Sequence, residues 1–106
     1  MLKKRDDIKK VFSSKKYYFS SILVRYCPND QNCSRFVIVP ERKTHGAVGR
    51  NLIRRRISEI LRTNQQRIRE GFDIAFFVKR DILDFKYEDL SDLLVKALEK
   101  GGFLRS

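Results

Sequence analysis

The sequence contains a single histidine, His45, and two cysteines, Cys27 and Cys33, among its 106 residues. One imidazole and two thiols do not supply four zinc ligands at a recognisable spacing. His45 has no evident carboxylate partner nearby and reads as a loop residue rather than a general base. Acids are scarce and scattered, falling at helix starts and in the last third of the chain. Neither clustered carboxylates for metal-assisted hydrolysis nor a His-based acid/base pair is offered, which disfavours a self-sufficient nuclease. Long hydrophobic runs are missing as well: Ile74 to Val78 is the longest and is far short of a membrane span. The opening MLKKRDDIKK has no apolar stretch after it, so no signal peptide is expected. No repeat, low-complexity tract or linker interrupts the chain, and its length fits one domain, residues 1–106, around a single core. The cysteines flank the polar loop Pro28 to Asn32. They read as reduced thiols at strand ends in a cytoplasmic protein, with a disulfide across the hairpin as the alternative.

What the sequence does have is positive charge. Lys and Arg number 24 against 13 acids, a net charge of +11. Such a surface repels itself unless a polyanion neutralises it. The charge concentrates in RKTHGAVGRNLIRRRISE, Arg42 to Glu59, which has no acid between Glu41 and Glu59. A long helix facing only water normally intersperses acids with its bases, so this stretch reads as a surface for nucleic acid. A helix-turn-helix DNA binder fits poorly, because no second short helix precedes the basic one at a tight turn.

Hydrophobic spacing predicts an α+β order. Ile8, Val11 and Phe12 recur at helical spacing in a short first helix over residues 3–13. YYFSSILVRYC predicts one long strand from Tyr17 to Cys27, with Ile22, Val24 and Tyr26 on one face and Leu23, Arg25 and Cys27 on the other. SRFVIV predicts a second strand stopped at Pro40, since proline cannot donate to the ladder. A further short strand around residues 39–44 is possible. The longest helix is predicted over Val48 to Glu70, with the stripe Ile53, Ile57, Ile60, Leu61 and Ile68, and Gly71 as its left-handed cap. At about 100° per residue, Arg50, Asn51, Arg54, Ser58 and Arg62 fall along one flank of that stripe, Arg55 lies further round, and Arg56 falls on the opposite, solvated flank. FDIAFFVKR predicts a strand covered on both faces. The last helix buries Leu90, Leu93, Leu94, Ala97 and Leu98, with Glu88 and Asp89 suited to its positive end.

The segment KTHGAVGRNLIRRRISE resembles the RNR motif of the bacterial ribonuclease P protein component, whose usual form is close to K-x-G-x-A-V-x-R-N-x-x-K-R-x-x-R-E. Ala47, Val48, Arg50, Asn51, Arg55 and Glu59 match, and Arg54 stands where lysine is usual. The likeness extends over the whole chain, from the D-x-x-x-V-F helix to the final Y-E-D-L helix. Departures are His45 at the usual glycine, with Gly46 displaced by one, Leu52 and Ser58 where arginines are common, and Ile8 where phenylalanine is common. Pro40-Glu41 also precedes Arg42-Lys43 where a small polar residue is expected.

The resemblance implies a single-domain α/β sandwich, α-β-β-(β)-α-β-α, with a left-handed βαβ crossover like that of the second domain of a small-subunit ribosomal protein. It implies a protein that joins a catalytic RNA, expected at 1:1, with the catalytic Mg²⁺ held mainly by that RNA. Together they remove the 5′ leader of precursor tRNA, and no catalytic or metal-ligating residue is expected in the chain. Guanidinium groups match phosphates, so Arg42, Lys43, Arg50, Arg54, Arg55 and Arg62 are candidate RNA-backbone contacts. Asn51 could serve a base edge, a hydrated Mg²⁺ or a neighbouring guanidinium, or could cap the helix. Phe12 and Tyr26 stand at family positions lining the leader cleft, and Tyr17 and Phe19 are nearby candidates for stacking. The other reading is a ribosomal or ribosome-assembly protein of similar fold, which would leave tRNA 5′ maturation unaffected.

Overall fold

The computed structural model describes residues 5–12, 15–29, 31–41 and 46–105. Helix α1 spans Arg5–Phe12, strand β1 Lys15–Phe19, β2 Ile22–Pro28, β3 Arg35–Pro40, helix α2 Gly46–Thr63, strand β4 Phe72–Val78 and helix α3 Tyr87–Lys100. Short 3-10 turns at Gln65–Arg67 and Arg80–Asp84 bracket β4. The four strands form one mixed sheet in the order β1-β2-β4-β3, antiparallel except for the parallel pair β3 and β4. That parallel pair is joined through α2, the βαβ connection that parallel strands require.

The long strand predicted from Tyr17 to Cys27 is instead a hairpin. Phe19 pairs with Ile22 across the two-residue turn Ser20-Ser21, with Ser20 at φ 53°. Two serines without glycine or asparagine are a weak turn signal inside an aromatic and β-branched run. The turn has a geometric consequence. Tyr17 pairs with Val24 and Lys15 with Tyr26, so the odd residues of β1 share a face with the even residues of β2.

Each face of the sheet has its own core. On the larger side Ile22, Val24, Ile38, Ile74, Phe76 and Val78 meet the buried stripes of α2 and α3. Ile53, Ile57, Ile60 and Leu61 of α2 are at most 4% exposed, as predicted from their spacing. Burial of each such side chain is worth about 1.5–3 kcal/mol, so this stripe fixes which flanks of α2 remain outside. On the smaller side α1 covers Cys27 and Ala75 with Val11, and Ile8, Phe12, Val37 and Phe77 pack around them. Strand β4 is central and buried on both faces, as its near-continuous apolar character predicts.

Two predicted boundaries move. Helix α2 ends at Thr63, because Thr63 Oγ1 donates to Glu59 O and Asn64 Nδ2 donates to Ile60 O, occupying the last carbonyls. Ile68 lies beyond the helix and is buried through a bridge to Leu104. Gly71 is not a helix cap; at φ 89° it turns the chain into β4, and its carbonyl accepts the Asn29 N–H at 2.8 Å. Leu93 is only partly buried, and the rest of the predicted α3 stripe is in the core. Of the possible strand near residues 39–44, Val39 and Pro40 belong to β3 and 42–44 lie outside the described residues.

Candidate nucleic-acid interface

The basic flank of α2 is positioned by the stripe on its other side. With the isoleucines seated on the sheet, Asn51, Arg54, Arg55 and Arg62 are exposed and Arg50 is half-buried. Arg54, Ser58 and Arg62 follow one another at four-residue intervals along a single row. Neither Arg54 nor Arg55 is in an ion pair among the described residues, so their guanidinium groups are available to a polyanion. Arg42, Lys43 and His45 lie outside the described residues.

Arg62 is different from its neighbours. Its Nε donates to Glu59 Oε2 at 3.1 Å and its Nη2 to Glu59 Oε1 at 2.5 Å. The hydrogen bond from Arg62 holds the Glu59 carboxyl below the usual carboxylate range, and the same contact raises the Arg62 guanidinium. Much of its positive charge is therefore already answered within the helix. Arg56 departs from the solvated position predicted for it. It is half-buried, and its Nη1 is enclosed with no hydrogen-bond partner among the described residues.

Across the sheet, the side covered by α1 carries an aromatic and apolar surface. Phe12 of α1 packs on Phe77 of β4 with ring centroids 5.0 Å apart, and the Arg25 guanidinium carbon lies 6.0 Å from the Phe77 centroid. Leu23 pairs with Phe77 and with Tyr18, and Val39 pairs with Phe77, so all four occupy the same face. Tyr18, Leu23, Val39 and Phe77 line a groove of about 370 Å³ running toward the Ser20-Ser21 turn and Lys79. Tyr18 is 60% exposed, which leaves most of its ring open to stacking. Aromatic faces next to basic side chains suit a single-stranded nucleic acid.

Of the four aromatics predicted for this role, the structure places only Phe12 there. Tyr17, Phe19 and Tyr26 lie on the opposite face. Tyr17 donates its hydroxyl to Ala97 O at 2.7 Å, and its ring and that of Tyr26 both pack on Phe103. Burial, and then the neighbouring Tyr26, push the Tyr17 phenol well above its ordinary pKa. Phe19 lies under the Lys100 ammonium, 6.0 Å from its ring centroid. The reversed parity of the hairpin causes the separation, since it carries Tyr17 and Phe19 to the side of Val24 and Tyr26. The α1-covered face also presents Tyr18, Arg25 and Phe77, which sequence reasoning did not single out. The alternation in β2 and β4 held their signal, but the turn had to be located before the faces could be matched.

The carboxylate best enclosed by the fold is structural. Asp73 is 2% exposed and accepts two hydrogen bonds from Arg35 at 2.9 Å and one from Asn29 Nδ2 at 2.7 Å. These ties join β3 and β4 to the loop after β2. Among the described residues no three His, Cys, Asp or Glu side chains converge to hold a metal ion. Cys27 is buried, Cys33 is exposed, and both thiols are free. No helix among the described residues is long and apolar enough to cross a membrane.

This arrangement can bind a polyanion on one side and stack single-stranded bases on the other. The family profile described as Ribonuclease P matches residues 1–102. A ribonuclease P protein component from Pelotomaculum thermopropionicum is 31% identical over 107 residues, covering 100% of this chain and 96% of the relative. One from Alkaliphilus oremlandii is 26% identical over 106 residues, covering 99% and 93%. Among solved structures, the RNase P protein from Thermotoga maritima superposes with a TM-score of 0.84 at 27% identity, covering 93% of this chain and 94% of that one.

Proposed function

This chain belongs to the ribonuclease P protein family, and from that premise we propose how its two faces share the work of the enzyme. Ribonuclease P is an endoribonuclease of tRNA processing whose catalytic part is its RNA subunit, and this chain is the protein component of that ribonucleoprotein. Family membership favours this reading over a ribosomal protein of similar fold. The flank of α2 carrying Asn51, Arg54 and Arg55 binds the folded catalytic RNA, in concert with Arg50 and with Arg42 and Lys43 of the preceding loop. The α1-covered face, with Phe12, Tyr18, Arg25 and Phe77, receives the single-stranded 5′ leader of precursor tRNA. One chain joins one RNA, and the complex works in the cytoplasm.

The observation that carries this division is the exposure of Arg54 and Arg55, unpaired, beside an exposed Asn51 on the flank left outside by the buried isoleucine stripe. Guanidinium groups in such a row displace the cations condensed on the RNA phosphates, which makes affinity steeply dependent on salt. The Asn51 side chain has no hydrogen bond among the described residues, and its amide serves the RNA rather than a helix cap. The catalytic Mg²⁺ ions are assigned to the RNA. The described residues do not fit a metal site, because their acids are engaged singly with arginines or dispersed. The protein therefore contributes placement: it holds the leader in register while the RNA supplies the hydrolytic centre.

The test is direct. Added to a bacterial ribonuclease P RNA at low Mg²⁺, the protein is expected to stimulate 5′ leader removal from precursor tRNA. Unchanged cleavage together with unchanged substrate affinity would remove the proposal.

A further inference from the structure

A second groove, separate from the leader face, opens where α2 ends. It measures about 700 Å³ and lies between the C-terminal half of α2, the start of β3 and the chain near Arg105. Its floor is apolar, formed by Phe36, Leu61 and Ile68. Phe36 pairs with Ile74 and stacks on Phe76, which puts the groove on the α2 side of the sheet, away from Phe12 and Phe77. The rim is polar. Gln65 and Gln66 are exposed, and each amide offers both donors and an acceptor.

The arginines at the rim are already answered. Arg62 is held by Glu59, and Arg105 Nη2 meets Glu70 at 2.9 Å. A groove built for a phosphate would present unpaired guanidinium groups. This one presents an apolar floor, neutral amides and guanidinium planes whose charge is balanced. That combination suits a flat neutral heteroaromatic ring with hydrogen-bonding edges, and a nucleobase is such a ring. The row Arg54, Ser58, Arg62 leads from the exposed, unpaired part of the basic flank into the groove, and Ser58 forms part of its wall. A nucleotide whose backbone follows Arg54 and Arg55 would reach the groove within the next turn or two of the helix, about 5.4 Å per turn.

We propose that the groove at the C-terminal end of α2 receives one unpaired nucleobase of the catalytic RNA, seated on Phe36, Leu61 and Ile68 and read at its edge by Gln65 and Gln66. The inference rests on the ribonuclease P reading and deepens it by dividing the RNA contact into a charged stripe and a base seat. Ser58 keeps the seat open, because its small side chain leaves the wall of the groove unfilled.

Ser58→Arg separates shape from charge. It adds a cation beside a polyanion, so electrostatics alone predicts tighter binding of the catalytic RNA. If the groove seats a base, the added side chain fills the seat and binding weakens by about tenfold, the loss of one stacked and hydrogen-bonded base. The double variant Gln65→Ala with Gln66→Ala, both exposed positions, is expected to weaken binding in the same direction. Thermal melts of each variant establish that they fold. Chemical probing of Watson–Crick edges in the reconstituted complex supplies the second readout. Wild-type protein should protect one unpaired base of the catalytic RNA, and both variants should expose it. Tighter or unchanged binding by Ser58→Arg with an unaltered protection pattern would overturn the base seat. Protection of a precursor tRNA base in place of one in the catalytic RNA would overturn it too. In both cases the wild-type protein would still bind the catalytic RNA and stimulate leader removal, leaving the functional reading intact. Failure of the wild-type protein to bind the RNA at all would remove both.

Discussion

Tyr17 is a candidate stacking residue in the sequence whose side chain the fold engages elsewhere. Its ring looks like a stacking platform in the sequence, but its hydroxyl is tied to the backbone of α3, and its ring meets Tyr26 at a steep angle and stacks on Phe103. The site is crowded: a Cβ added at Gly101 would lie 2.7 Å from the Tyr17 ring carbon Cζ. A phenol held this way resists ionisation, because burial leaves the phenolate poorly solvated and the neighbouring Tyr26 disfavours its charge. Its pKa in the folded protein is raised above the unfolded value of 10.0. The folded state therefore binds the proton more tightly, and the stabilisation is present below pH 10 and declines as pH rises beyond it. Chemical denaturation across pH 8 to 11 should show stability falling more steeply for the wild type than for Tyr17→Phe at the alkaline end. At pH 8 Tyr17→Phe should cost about 1 kcal/mol, the usual net worth of one hydrogen bond. Parallel curves for the two proteins would contradict this account.

At the scale of elements, α2 divides its arginines by what else is close to them. Arg54 and Arg55 have no ion pair among the described residues, whereas Arg62 has Glu59 three residues before it on the same surface. Removing Arg54 or Arg55 should flatten the dependence of log affinity for the catalytic RNA on log salt by about one unit each. Arg62→Ala should change that slope by much less, since its guanidinium is engaged by Glu59 and not by a phosphate. Affinity titrations over a range of salt concentrations would reveal an equal change for all three, the result that would sink this ranking. The helix itself was legible in the sequence, because Ile53, Ile57 and Ile60 recur at helical spacing and fix its inner face. Its end was not. Thr63 and Asn64 stop it by side-chain bonds to the preceding turn, and Ile68 continued the apolar rhythm by coincidence while pairing with Leu104. Periodicity reports burial, and burial beyond a helix end can keep the same beat. The pairing of Arg62 with Glu59 was equally hidden, since a list of charges does not tell which of them neutralise one another.

For the molecule as a whole, the decisive feature is that the sheet separates two surfaces, and the hairpin at Ser20-Ser21 decides which aromatic belongs to which. The alternation within β2 was readable, and Leu23, Arg25 and Cys27 do share a face. Its relation to β1 was not readable, because a two-residue turn exchanges odd and even positions without a composition change to announce it. Tyr18 and Tyr26 therefore make opposite predictions. Tyr18, 60% exposed beside the Phe77 groove, should matter only when a leader is present. Tyr18→Ala is expected to lower the affinity of the reconstituted enzyme for precursor tRNA by roughly tenfold, as for the loss of one stacked base, while leaving affinity for leaderless tRNA unchanged. Tyr26, packed edge-on against Phe103 beneath α3, is expected to act through the fold. Its truncation to alanine should cost about 3 kcal/mol of stability, visible as a lower melting temperature. The ratio of the two tRNA affinities should then stay constant at temperatures where Tyr26→Ala remains folded. A ratio that falls with Tyr26→Ala and holds with Tyr18→Ala would place the leader on the α3 side of the sheet, and the division of labour between the two faces would have to be reversed.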